Sequence, residues 1–135
     1  MRLFLTAISS LPQSGLGPKG YFAYKDIRGC GSTRLHGDVA DAVNLMAYAC
    51  KDEEAIWHVF RRQDFEGVTD WMRIRFKCRG HPIHRQKYYL TDEDLDDLLL
   101  TKGIRPYVIK QRSGGMVFIP AGCAHQVCHI PLFHG

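Results

Sequence analysis

At 135 residues the chain has room for one compact unit, and 45% hydrophobic with 11% aromatic residues reads as a globular core rather than a disordered segment. The net charge of +4 is modest, and the basic residues of the middle (Arg61, Arg62, Arg73, Arg75, Lys77, Arg79, Arg85 and Lys87) are scattered, so that segment leans toward acidic partners without forming a dense run. Five cysteines (Cys30, Cys50, Cys78, Cys123 and Cys128) form an odd set without secretory spacing, which excludes a disulfide framework and favours a reducing compartment.

The opening decapeptide MRLFLTAISS makes a poor signal peptide, and no stretch approaches the roughly 20 apolar residues of a membrane span, so a soluble protein is expected. Residues 11–19 (LPQSGLGPK) are rich in Gly and Pro and predict irregular structure. A strand is expected at 21–27, a Gly-containing turn at 29–32, two strands at 33–38 and 42–49 around a bend at Asp41, and a fourth at 56–60. The apolar spacing of 64–76 predicts a helix with Asp64 available as its N-cap.

A second helix is expected over 91–102. Thr91 can cap it, Asp92, Glu93 and Asp94 complement its positive start, Leu95, Leu98 and Leu99 form its apolar stripe, and Gly103 closes it. Beyond Pro106, strands at 107–111 and 116–119 are joined by a turn at Ser113, Gly114 and Gly115, and a last strand at 124–130 follows the 120–123 turn. Strands at both ends with helices between them describe a mainly β barrel or sandwich with a helical insertion, and no repeat or domain boundary divides residues 1–135.

The candidate chemistry begins at Leu35-His36-Gly37-Asp38. In an extended strand positions i and i+2 project from one face, so the His36 imidazole and the Asp38 carboxylate can share a metal ion. A third ligand must come from elsewhere in the chain, and His125 sits in a short strand after a Pro-Ala-Gly turn. Two His and one carboxylate on one side of an ion leave positions open for a bidentate ketoacid and dioxygen, as in non-haem Fe(II) oxygenases; the same ligands also suit zinc, cobalt or nickel.

Four blocks widen the context: LGPKGYFAYKDIRGCGSTRLHGDVADAVNLMAYA (16–49), AIWHVFRRQD (55–64), HPIHRQKYYL (81–90) and MVFIPAGCAHQVCHI (116–130). In this order they resemble the JmjC domain of the hairless and histone H3 lysine-9 demethylase subfamily. The resemblance implies a double-stranded β-helix (jelly-roll, cupin-like) that is incomplete at its C-terminus. It also implies an Fe(II)- and 2-oxoglutarate-dependent dioxygenase that hydroxylates an N-methyl group of histone lysine, with a methyl-lysine histone tail and chromatin proteins as partners in the nucleus. By this resemblance His36, Asp38 and His125 match the iron ligands, and Thr33 and Asn44 match positions that contact the ketoacid. Asn44 has an argument of its own, because an amide inside the run AVNLMAY is a buried polar group that needs a partner.

Departures from the family pattern leave alternatives open. Relatives commonly bind the far carboxylate of 2-oxoglutarate with a Lys shortly before the aromatic of the fourth strand, where this chain has Ala55 and Ile56 before Trp57. Lys110 is either a substitute for that cation or a solvated strand lysine. The chain stops at Gly135, before the family's next core strand, which would leave a sheet edge open. A catalytically inactive JmjC-like binding scaffold and a JmjC hydroxylase of a non-histone substrate are therefore the rival readings. Three further features have simpler explanations: Cys78, His81 and His84, with Cys123, Cys128 and His129 as residues that could join them, as ordinary side chains rather than a zinc site, the LDDLL run as core packing rather than a docking helix, and Trp57 and Trp71 as core aromatics.

Overall fold

The computed structural model describes residues 4–8, 17–21, 33–49 and 53–131. Among the described residues eight strands are formed: β1 (Phe4–Ile8), β2 (Gly17–Tyr21), β3 (Thr33–Gly37), β4 (Ala42–Leu45), β5 (Glu53–Val59), β6 (Tyr107–Gln111), β7 (Met116–Ile119) and β8 (Ala124–Pro131). Two helices, α1 (Phe65–Phe76) and α2 (Asp92–Lys102), are inserted between β5 and β6. The strands make two four-stranded sheets, in the orders β2-β1-β4-β7 and β3-β8-β5-β6, and every pairing is antiparallel. This is the expected mainly β, cupin-like jelly-roll with a helical insertion.

Two apolar clusters lie on opposite sides of the second sheet. Between the sheets, Ala42, Met46 and Val117 and Ile119 of the first sheet side meet Ala55, Trp57, Val59 and Val127 of the second. On the other side α1 and α2 bury Val68, Trp71, Met72 and Leu98 against Leu35 of β3 and Ala124 of β8. Period-two alternation lets one strand serve both clusters.

The helix over 91–102 forms as its sequence dictates. Thr91 and Asp94 make a reciprocal capping box, and Gly103 ends the helix in the left-handed region at φ 65°. Leu98 is fully buried and Leu95 packs beside it, whereas Leu99 is 42% exposed, so the apolar stripe is narrower than expected. Asp64 precedes α1, but its side chain caps nothing: Arg61 grips the carboxylate with two hydrogen bonds of 2.7 and 3.1 Å. A charge-assisted pair has taken the oxygens that a cap would use.

Other boundaries differ for non-local reasons. Within the stretch read as irregular, Gly17–Tyr21 pairs along β1, whose apolar run had been weighed only as a leader. The strand expected at 21–27 lies, apart from Tyr21, outside the described residues. β4 stops at Leu45 because the next residue, Met46, exchanges backbone hydrogen bonds with the glycine turn: its N–H donates to Gly115 and its carbonyl accepts from Gly114. That turn does not close a hairpin. β6 lies in one sheet and β7 in the other, so residues 113–115 carry the chain across the barrel.

Candidate metal centre

His36 and His125 are Cα partners in the β3–β8 ladder, which sets the two imidazoles side by side with ring centroids 4.2 Å apart. Asp38 follows the end of β3, and its two carboxylate oxygens lie 3.9 Å from His36 Nε2 and 3.8 Å from His125 Nε2. One donor atom from each residue falls within 4.8 Å of the others, the single such grouping of His, Cys, Asp or Glu side chains among the described residues. Three ligands at about 2.1 Å from one ion stand roughly 3–3.5 Å apart, so small side-chain movements suffice to close this set on a divalent cation.

The tautomers suit that task. His36 Nδ1 lies 2.9 Å from the Arg34 carbonyl and His125 Nδ1 lies 3.0 Å from the Cys123 carbonyl. A carbonyl only accepts, so each Nδ1 carries the proton and each Nε2 keeps its lone pair for the shared point. Burial, helped by neighbouring His36, holds the His125 imidazole below the ordinary histidine range, against the opposing pull of the Cys123 carbonyl and Asp38. Burial thus favours the neutral form of His125, the form that can ligate.

Backbone contacts bring the two distant stretches together. The Gly122 N–H donates to the Asp38 carbonyl (2.8 Å), and the Ala121 N–H donates to the Asp41 carboxylate (2.7 Å). Arg62 Nε also donates to the Ala121 carbonyl (2.8 Å). Gly122 adopts φ 76°, which requires a glycine, so the turn sequence is what aims β8 at the ligand pair. Gly37 between the first two ligands has its own reason: a Cβ there would meet the Phe65 ring at 2.9 Å.

Thr33 lies three residues before His36, a spacing that puts residues on opposite faces of a regular strand. A register shift between Thr33 and His36 corrects this, since Thr33 pairs with Val127 and His36 with His125, two residues apart on β8. Thr33 therefore shares the inner face with the ligands, and Leu35 turns into the helix-side core.

Successive rows of the inner face run away from the metal centre. The first holds His125 and Val59, the second Val127, Trp57 and Ile109, and the third His129, Ala55 and Gln111. Asn44 on β4 reaches this wall from the opposite sheet, where Gln111 Nε2 donates to its side-chain oxygen (3.0 Å) and to its carbonyl (3.1 Å). Ala55, at the position where a cation was looked for, is fully buried. Lys110 does not replace it. It lies on the outer face, largely exposed, 3.8 Å from the Glu54 carboxylate, which makes it the solvated strand lysine.

Of the inner-face polar residues, Gln111 is not marked by any motif in the sequence, and His129 is marked only as a possible companion of the Cys78, His81 and His84 group. The signal available was period two alone, since Gln111 follows Ile109 by two and His129 follows His125 by four. The Cys78 thiol instead donates to the Met72 carbonyl (3.9 Å), and the His81 and His84 rings meet at a tilt of 38° with centroids 3.9 Å apart, so no zinc-type convergence forms there among the described residues. Trp71 and Trp57 are both buried as expected, but each also spends its indole N–H on a side chain, Asp97 and Gln111 respectively.

A jelly-roll whose inner wall gathers two imidazoles and a carboxylate at one mouth is a cupin-like protein with the ligand set of a metal centre. A family profile described as "JmjC domain, hydroxylase" matches residues 30–131, and this chain belongs to the JmjC family. It is similar to Lysine-specific demethylase 3A-A of Xenopus laevis (33% identity) and to Lysine-specific demethylase 3A of Homo sapiens (31%), each over 83% of this chain and 12% of the relative. Lysine-specific demethylase JMJ26 of Arabidopsis thaliana is 30% identical over 83% of this chain and 20% of its own length. The chain thus spans about an eighth to a fifth of the curated relatives it matches.

Proposed function

We propose that this chain is an Fe(II)- and 2-oxoglutarate-dependent dioxygenase that demethylates a methylated histone lysine through N-methyl hydroxylation, and that it acts in the nucleus on chromatin. The observation that carries the reading is the convergence of His36, Asp38 and His125 with both Nε2 lone pairs directed into one corner. Family membership and the demethylase relatives support the reaction class. In this reading the three ligands would hold the iron, and the chemistry it would supply is activation of dioxygen, the oxidant: one oxygen atom would enter the ketoacid as it loses CO2 to give succinate, and the other would enter an N-methyl C–H bond, whose hydroxymethyl product separates into amine and formaldehyde.

The chain's own residues do the rest. The Arg34 and Cys123 carbonyls fix ring orientation and place the ring proton on Nδ1, so that Nε2 is the nitrogen that faces the shared point. Thr33 and Asn44 contact the ketoacid from β3 and β4. The buried Val59, Trp57 and Val127 side chains keep water from the inner wall.

Purified chain supplied with Fe(II), 2-oxoglutarate and a methylated histone-tail peptide is expected to form succinate and formaldehyde in step, and the His36→Ala protein to form neither and to retain no iron. Equal iron content in wild-type and His36→Ala protein would remove the reading. A second reading, a JmjC-like scaffold without turnover, is favoured by Ala55 standing where relatives carry a cation. Uncoupled conversion of 2-oxoglutarate to succinate, without any peptide, separates the two, because a scaffold shows none.

A further inference from the structure

The basic residues of the middle segment divide into two groups in the fold. Arg61 is held by Asp64 (2.7 Å), Arg73 by Asp70 (2.8 Å) and Arg75 by Asp94 (3.0 Å), and Arg62 donates to the Ala121 carbonyl (2.8 Å). Lys77, Arg79, Arg85 and Lys87 pair with no carboxylate among the described residues. All four are exposed on the connection between α1 and α2, and no Asp or Glu occurs from Trp71 to Thr91 to offset them.

The connection is built to hold these side chains outward. Lys77 closes α1 in the left-handed region (φ 47°), and Gly80 and Gln86 turn the chain at φ 83° and 50°. The Arg85 and Gln86 N–H groups donate to the His81 and Ile83 carbonyls (3.2 and 3.1 Å). Pro82 and Ile83 are fully buried, and the Phe76 and Tyr88 rings stack at 4.5 Å, so the apolar residues of the loop face the core. Arg85 folds over Gly80, its Nε 3.6 Å from where a Cβ would stand, which brings it beside Arg79.

This loop also adjoins the metal centre. The Leu35 N–H donates to the Tyr88 carbonyl (2.8 Å), which lays the end of the loop against the edge strand β3, where Arg34 adds another exposed cation. The Phe65 ring lies against Gly37, between the first two ligands, and meets the His81 and His84 rings at 5.7 and 6.0 Å.

We propose that Lys77, Arg79, Arg85 and Lys87 form a docking surface for the phosphate backbone of duplex DNA. Exposed cations spread over a loop suit a repeating line of phosphates better than one small anion, which needs converging donors. A lipid surface fits poorly, because binding there draws on apolar side chains that insert, and those of this loop are buried. The choice of DNA among polyanions rests on the chromatin substrate of the proposed function, since DNA accompanies a histone tail whose lysine reaches the metal corner.

The test titrates the full chain into a labelled duplex of about 20 base pairs and follows anisotropy between roughly 50 and 200 mM salt. Four phosphate contacts give a slope of log Kobs against log salt of about −3.6. Arg79→Gln with Arg85→Gln is expected to bring the slope to about −1.8 and to weaken binding at low salt at least about tenfold. Lys102→Gln with Arg105→Gln removes the same charge at the other end of the helix pair, where Ile104 meets Gly67. That site is about 15 Å along α2, beyond a Debye length at 0.1 M salt, and affinity there should stay within about twofold of wild type.

Equal weakening by the two pairs would mean that net charge alone attracts the duplex, and would overturn the proposal, as would a wild-type chain that does not bind. Tighter binding to an RNA duplex, or to phosphatidylserine-containing vesicles, than to DNA would overturn the choice of partner. If Arg79→Gln with Arg85→Gln fails to fold, Lys77→Gln with Lys87→Gln decides, with the same change of slope expected and an unchanged slope rejecting the surface. Conversion of 2-oxoglutarate without DNA reads the proposed function separately: its absence rejects that function, whereas lost duplex binding with turnover kept rejects this surface alone.

Discussion

The two sides of the sheet β3-β8-β5-β6 both bury polar side chains, but they use them in opposite ways. On the helix side, Gln126 is fully buried and its amide is consumed by the backbone of Leu90: Oε1 accepts from the Leu90 N–H and Nε2 donates to the Leu90 carbonyl, both at 2.8 Å. One residue earlier on the same strand, His125 is just as buried, yet its backbone-bonded nitrogen serves to leave the other aimed at Asp38 and beside His36. A buried polar group whose capacity is used up by nearby backbone holds the fold together. One whose remaining lone pair converges with others on a common point is equipped for chemistry.

The sharpest way to test this contrast is to remove neighbours of β8 one at a time. His36→Ala or His125→Ala should lower metal affinity roughly a hundredfold or more, beyond the loss typical of outer-shell partners, while thermal unfolding of the metal-free protein changes little. Gln126→Leu should do the reverse. It strands a buried N–H and a buried carbonyl of Leu90, which costs about 3 kcal/mol in urea unfolding, with metal affinity within about twofold of wild type. Metal loss from Gln126→Leu without destabilisation would break the distinction between the two faces.

The next effect is of the same size as the Gln126→Leu loss and probes the helix side alone. Leu98→Ala should cost about 3 kcal/mol, since Leu98 is fully buried in the cluster under α2. Leu100→Ala, at a position 85% exposed, should cost less than about 0.5 kcal/mol. Comparable losses at both positions would mean that Leu100 is covered within the fold, and that the apolar stripe of α2 is wider than its exposure indicates.

Much of this contrast was legible in the sequence, and what was not has a common cause. The His36-Gly37-Asp38 spacing, the 120–123 turn and the Thr91 cap are each decided within a few residues, so pattern reading reaches them. Gln111 depends on Trp57, 54 residues away in sequence, and a polar residue ending an apolar strand looks the same whether or not such a partner exists. The Ser113-Gly114-Gly115 turn suits a hairpin and a sheet crossing equally well, and only the pairing of β7 with β4 decides between them. Asp64 offered a good cap by identity, but Arg61, three residues earlier, took its oxygens. The bulge that lets Thr33 and His36 share a face has no signature in TRLH, because it is defined by the partner strand.

The smallest predicted effect follows from His58, which ties the two arguments together because it lies on β5 but faces the helix side. Gln126 Nε2 approaches its Nδ1 at 3.3 Å, an interaction that needs Nδ1 unprotonated if the amide nitrogen is donating, as its bond to the Leu90 carbonyl requires. Burial lowers the His58 pKa below 6.5, and Asp92 offsets this only in part. Between that lowered value and 6.5 the unfolded chain takes up a proton that the folded chain refuses, so stability is complete above pH 6.5 and declines as pH falls through the window. His58→Gln keeps an acceptor for Gln126 without a titrating group, and its unfolding free energy should fall less steeply with acid than that of wild type, by at most one proton in the linkage slope. Equal slopes would show that His58 is protonated or solvated in the fold, and would place the acid sensitivity of this face elsewhere.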